Sequence, residues 1–209
     1  MKKLTLVLIA ITLISFTSCK KDKKEVIKET EITTTKKSVT YMADPSATEI
    51  QWTAYKTTAK KPVSGVFKTV KFEKKTGSTP VETLNGLEFT IPISSLFSKN
   101  EERDGKLIAS FFGSMVNSDF LKGTIHFSEG DTCNIDITMN GETHPIAFTY
   151  SIKENVVDFK GVMNLENWSA LSAIEALNKV CFDLHKGDDG VSKTWNDVAI
   201  EVSTTLMKH

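Results

Sequence analysis

DTCNIDITMNGETHPIAFTYSIKENVVDFKGVM, residues 131–163, is the stretch on which the fold turns. Ile135, Ile137 and Met139 alternate with polar residues up to Asn140-Gly141, and Ile146, Phe148, Tyr150 and Ile152 alternate beyond it. Glu154-Asn155 then turns the chain into Val157, Phe159, Gly161 and Met163. A period of two marks strands with one buried face, because successive side chains point to opposite sides of a sheet. Asn-Gly between two such runs is a strong hairpin signal, since a tight type I′ turn needs positive φ at both central residues. Three antiparallel strands follow from this segment alone.

The same period extends outward. Ile50, Trp52 and Ala54, then Val66, Val70 and Phe72, then Leu87, Phe89, Ile91 and Ile93, then Leu121, Ile125 and Phe127 precede it, and Val198, Ile200 and Val202 follow. That makes eight strands, joined mostly by short turns. Two segments break the period: 101–112 reads as a short helix, and Trp168, Leu171, Ile174, Leu177 and Cys181 recur at helical spacing with Asn167 as the cap. The expected fold is all-β, one eight-stranded antiparallel barrel over residues 39–209 with one or two short helices. Closure removes the sheet edges, and eight strands leave room for packed side chains or one small ligand. A β-sandwich would show the same alternation.

The chain has 209 residues with 26 basic and 26 acidic side chains. Its neutrality is a cancellation. Residues 1–19 hold two lysines and no acid, and residues 20–38 hold seven lysines against four acids, which leaves about −5 on 39–209. An acidic domain excludes nucleic acid as a partner, which would call for a cationic excess. Hydrophobic residues at 40% and charged residues at 25% suffice for a packed core.

Lys2 and Lys3 precede thirteen apolar-rich residues, Leu4 to Phe16. As a helix these span about 20 Å, short of the roughly 30 Å hydrocarbon core, so residues 1–18 read as a signal peptide. Thr17 and Ser18 directly before Cys19 resemble the lipobox of bacterial lipoproteins. That implies cleavage before Cys19, acylation of its thiol and anchoring by two or more acyl chains. Residues 20–38, with only Val26, Ile27 and Ile32 apolar, read as a flexible basic tether. Lys20 after the cysteine, rather than aspartate, leans towards the outer membrane, facing the periplasm.

Several motifs carry a family resemblance: Trp52-Thr-Ala-Tyr-Lys56, Gly65-Val-Phe67, Asn100-Glu-Glu-Arg103-Asp104 with Leu107 and Phe111-Phe112, and Thr138-Met-Asn-Gly-Glu-Thr-His-Pro145. In order and spacing they resemble the YceI-like family over residues 39–207. The resemblance implies a lipocalin-like barrel whose apolar tunnel holds an isoprenoid or other long lipid, in an exported envelope protein. The chain departs from the family at Lys106, where many members have histidine. It also departs at residues 168–195, where a helix and a glycine-bearing loop precede the last strand.

On this reading the tunnel is lined by Phe89, Ile91, Ile125, Phe127, Ile137, Met139, Phe148, Tyr150, Phe159 and Met163, although any β protein buries such residues. Arg103, the only arginine, stands beside Asp104 and serves either a ligand head group at the barrel mouth or a structural ion pair. Cys133 and Cys181 either pair, which would contribute about 4 kcal/mol across their loop, or remain buried thiols. His126 and His144 are placed on the outward phase of strands, and none of the four histidines has metal-ligand spacing. Asp183, Asp188 and Asp189 lack the twelve-residue calcium-loop pattern and read as a solvated turn. Nucleophile-elbow, Walker A and dinucleotide motifs are absent from the sequence, so an enzyme is not expected and no cofactor is called for. The expected partners are the lipid ligand, the membrane through acylated Cys19, and a second copy of the chain as a homodimer. The competing expectation is a non-enzymatic envelope interaction or stress protein with a solid barrel core.

Overall fold

The computed structural model describes residues 39–209. The residues read as signal peptide, as lipidated Cys19 and as tether lie outside the described residues. Eight long strands answer the eight expected: β1 (Tyr41–Lys56), β2 (Lys61–Phe67), β5 (Glu88–Pro92), β7 (Phe120–Phe127), β8 (Thr132–Met139), β9 (Glu142–Lys153), β10 (Val156–Asn164) and β11 (Asp197–Lys208). Three two-residue strands join them, β3 (Lys71–Phe72), β4 (Thr76–Gly77) and β6 (Leu96–Phe97). The helices are α1 (Pro80–Leu84), α2 (Glu101–Lys106) and α3 (Leu171–Val180).

All pairings are antiparallel, and the order is β3-β5-β7-β8-β9-β10-β11-β1-β2-β6, with β4 against the start of β1. β5 and β6 are one strand broken by the turn at Ile93–Ser95. Because β6 pairs β2 while β5 pairs β7, the sheet meets itself across that turn, where Lys68 N–H also donates to the Ser95 carbonyl at 2.9 Å. The lipocalin-like barrel is thus closed by chain continuity at one place and by hydrogen bonds elsewhere. The Asn140-Gly141 hairpin forms as read, with φ of 51° and 75°.

The core lies inside the ring. Phe148, Val157, Phe159 and Leu206 from three neighbouring strands are almost wholly enclosed. Three aromatic rings each cover a glycine directly across a strand pair: Trp52 over Gly65, Phe89 over Gly123 and Phe148 over Gly161. A Cβ on any of these glycines would fall within 3 Å of the ring above it. The rings therefore occupy the space of absent side chains against the wall instead of standing across the lumen.

One end of the barrel is sealed. α1 is capped by Thr79, whose hydroxyl accepts from Glu82 N–H at 3.1 Å, and Pro80 supplies its first residue, where no N–H is needed. It buries Leu84 beneath the start of β1, and its following residue Asn85 accepts from Phe127 N–H at 3.0 Å. At the other end α2 and α3 stand beside the last residues of β1. The 101–112 segment is helical as read, but only its first six residues are α; Leu107–Phe111 widen into a π turn. The second helix starts at Leu171 rather than after Asn167, because Ser169 adopts φ 52° and breaks the chain between a 3-10 turn at Leu165–Trp168 and α3.

Candidate functional site

The lumen is not filled. Three cavities of about 100, 120 and 240 Å³ follow one another from the sealed end to the α2–α3 end, sharing wall residues at each junction. Trp52 borders all three. Phe67, Leu121, Met163 and Ile200 belong to both the deep and the middle cavity. Ala54, Leu107, Leu177 and Thr194 belong to both the middle cavity and the mouth. A void of 100 Å³ has room for several waters but offers them no polar partners here, so apolar matter is its natural occupant.

Seven of the ten residues assigned to the tunnel border the deep cavity: Phe89, Ile91, Ile125, Ile137, Phe148, Phe159 and Met163. Met139 borders the middle one. Phe127 and Tyr150 border none of the three. They have the inward phase but lie too near the sealed end, where their rings meet edge to face at 4.7 Å and rest on Phe159. Tyr150 keeps its hydroxyl towards the turn, donating to the Gly130 carbonyl at 2.8 Å.

The mouth is polar. It is bordered by Asn100, Glu102, Arg103 and Lys106 of the α2 segment, by Lys56 of β1, and by Cys181, Leu184 and His185 beyond α3. Asn100 caps α2, its side-chain oxygen accepting from Arg103 N–H at 2.8 Å. Arg103 and Asp104 close around Ser98. The guanidinium donates to the Ser98 hydroxyl (2.7 Å) and carbonyl (2.6 Å), and the carboxylate accepts from Ser98 N–H at 3.1 Å and from its hydroxyl. The pair thus ties α2 to the end of β6. Lys106 is paired with Glu102 at 2.6 Å, whereas Lys56 donates to the Leu184 carbonyl at 2.9 Å.

Sequence reasoning passed over Lys56 and His185. His185 Nδ1 lies 2.7 Å from Thr194 Oγ1, and that hydroxyl donates to Asn178 Oδ1 at 2.8 Å. The Asn178 oxygen therefore orients the hydroxyl, the hydroxyl accepts from Nδ1–H, and Nε2 is left as the acceptor. Burial, then Lys56 and Lys106, push the His185 pKa down to about 4, so the imidazole is neutral at pH 7. A histidine held below its unfolded value favours folding above pH ~6.5, and that contribution is lost as pH falls towards the folded value. Urea titrations at pH 7 and pH 5, a window above most carboxylates, are expected to show a loss of stability that His185→Gln reduces. An equal loss in the variant would refute the assignment. The signal for this side of the mouth was the 168–195 segment itself, whose residues form no catalytic or binding motif.

Cys133 and Cys181 are both free and buried. The bridge is not formed because Cys133 pairs across from Phe127 and Phe148 near the sealed end, while Cys181 follows α3 at the mouth. Burial pushes the Cys133 thiol up to about 11 and raises that of Cys181. His126 is exposed as read, but His144 is not outward: it shares the phase of Ile146 and Phe148 and its half-buried ring meets Trp168 edge-on at 5.4 Å. Among the described residues no cluster of metal-ligating side chains occurs, and no helix is long and apolar enough to cross a membrane.

The YceI-like domain family model matches residues 41–206. No curated protein matches the chain. Solved structures share the fold at low identity, among them these two. A polyisoprenoid binding domain from Saccharophagus degradans, implicated in plant cell wall breakdown, has a TM-score of 0.60 at 11% identity, covering 81% of this chain and 98% of its own. Burkholderia cenocepacia BcnA has a TM-score of 0.51 at 14% identity, covering 79% and 99% respectively. With four-fifths of its length matched to the family model from the start of β1 nearly to the end of β11, the chain belongs to the YceI-like family.

Proposed function

We propose that this protein is a non-enzymatic carrier that holds an isoprenoid or similar long apolar molecule in its barrel. The carrying observation is the succession of three adjoining cavities, apolar in the depth and bordered by charged side chains only at the mouth. Burial of a chain at about 0.8 kcal/mol per CH₂ gives affinity without a reaction step, and no residue is required to move a proton. The polyisoprenoid binding of the Saccharophagus degradans domain supports the same ligand class. In this reading Phe89, Ile91, Ile125, Ile137, Met139, Phe148, Phe159 and Met163 hold the chain. Phe127 and Tyr150 close the far end, and Lys56, Arg103 and His185 face the head group.

Residues 1–18 act as a signal peptide in this proposal, and acylated Cys19 fixes the protein to the envelope, with the outer membrane as the assigned site and the domain towards the periplasm. The sequence of Thr17, Ser18 and Cys19 supports this part. Mass spectrometry tests both halves on one sample. Full-length protein taken from membranes should begin at Cys19 and carry acyl groups, and under native conditions should retain a second, non-covalent lipid mass. An unacylated chain would overturn the anchoring. Reproducible absence of bound lipid across hosts would overturn the carrier role.

A further inference from the structure

Five of the eleven large apolar side chains that stand exposed on the described residues fall within residues 171–191: Leu171, Val180, Phe182, Leu184 and Val191. Leu184 is 58% exposed and yet borders the mouth cavity, so the apolar surface is continuous with the lumen. Lysine–ring contacts adjoin these residues. Lys193 and Lys60 sit 3.7 and 4.8 Å over the Trp195 ring, Lys60 also lies 5.0 Å over Tyr55, and Lys186 lies 5.2 Å over Phe182. Apolar tips backed by tryptophan, tyrosine and lysine are the chemistry of a membrane–water interface, where rings sit at head-group depth and ammoniums reach the water.

We infer that the mouth end docks on a lipid bilayer, inserting Phe182, Leu184 and Val191, so that the ligand passes between membrane and lumen without crossing water. The inference rests on the carrier reading. Electrostatic attraction is not its basis, because residues 171–195 carry four acids, Glu175, Asp183, Asp188 and Asp189, against Lys179, Lys186 and Lys193. Docking is therefore by apolar insertion and indifferent to lipid charge and salt.

The chain outside the structure permits this geometry. It enters at Val39 beside the sealed end, where Thr40 N–H donates to the His209 carbonyl at 3.1 Å, and β1 runs from there to the mouth over 16 residues. Such a strand spans at most about 50 Å. The twenty residues from Cys19 to Ser38 reach about 70 Å when extended. An anchor at Cys19 thus leaves enough chain for the mouth to turn back onto the same bilayer.

Residues 39–209 suit the test, because the buried core and both pairings at the sheet's closure are made among these residues themselves, and they span 98% and 99% of the two solved relatives' own chains. This domain is expected to float with phosphatidylcholine vesicles at low and high salt, and brominated phosphatidylcholine should quench Trp195, since Trp52 and Trp168 are buried. Phe182→Ser combined with Val191→Ser, neither in the cavity walls, should weaken flotation roughly tenfold or more, with bound-lipid content and melting temperature unchanged. Absence of flotation, flotation that survives the double variant, or flotation only with anionic vesicles at low salt would overturn the proposal. So would a parent domain that is dimeric in solution and becomes monomeric in the variant, which would assign the surface to a second copy. A lipid-filled domain that fails to float sinks the docking alone, whereas an empty one that floats sinks the carrier reading.

Discussion

Trp168→Ala is expected to destabilise the domain by about 4 kcal/mol, the middle of the range for truncating a buried aromatic, and to lower its melting temperature by roughly ten degrees. The side chain is fully enclosed. Its indole N–H donates to the Ile137 carbonyl at 2.9 Å, its own carbonyl accepts from Asn140 Nδ2 at 2.9 Å, and its ring meets His144. It therefore pins the 3-10 turn before α3 to the β8–β9 hairpin at two bonds and one face. Truncation leaves a cavity that these strands cannot close and removes the indole hydrogen bond to Ile137. Trp168→Phe separates the two effects, keeping most of the volume and losing one hydrogen bond, at a cost of about 1 kcal/mol. Urea unfolding of the three proteins measures both steps. Equal stability of Trp168→Ala and parent would mean that the mouth helix is not held through this residue.

The barrel was legible because its signals are local. Alternation fixes which side chains turn inward, Asn140-Gly141 fixes the hairpin register, and together these yielded the eight long strands. What escaped was either too short or not local. α1 has a capping signal in Thr79-Pro80 with Glu82, but five residues cannot show a helical period, and the segment reads as a connection. The apolar spacing from Trp168 to Cys181 runs through Ser169 without a mark, so the break before α3 is invisible to periodicity. The outward phase expected for His144 does not hold, because the alternation that places Ile146 and Phe148 inward places it inward too, at the flaring rim where Trp168 receives its ring.

The hollow itself is a cross-strand property. Phe89, Phe148 and Trp52 are ordinary core residues until Gly123, Gly161 and Gly65 are known to stand opposite them, and only that pairing shows why large side chains leave a lumen. The mouth depends on topology still more. Lys56, Arg103 and His185 lie on β1, α2 and the segment after α3, and barrel closure alone brings them to one opening. The Arg103–Asp104 motif, conspicuous in sequence, turns its hydrogen bonds on Ser98 and so organises the mouth more than it fills it.

Ala54→Trp is the second change with a large expected effect, and it separates a ligand channel from a merely loose core. Ala54 borders both the mouth and the middle cavity, opposite Val63 on the β1–β2 pair, so an indole there projects into open space at the junction. Overpacking a filled core costs about 1–3 kcal/mol, but an added ring that enters a void displaces no neighbour, so stability is expected to change by less than about 1 kcal/mol or to rise. The route from the mouth to Met163 and the deep cavity is meanwhile blocked. Bound lipid detected by native mass spectrometry should fall roughly tenfold or more, since a long chain excluded from the depth forfeits several buried CH₂ groups at about 0.8 kcal/mol each. A variant that keeps its lipid would show that the ligand does not enter past Ala54. A variant that loses stability in proportion to its lipid would show that the residue packs a core. Unchanged stability with an empty barrel is the result that only a channel gives, because in a channel the wall near the entrance supports nothing but the passage of the ligand.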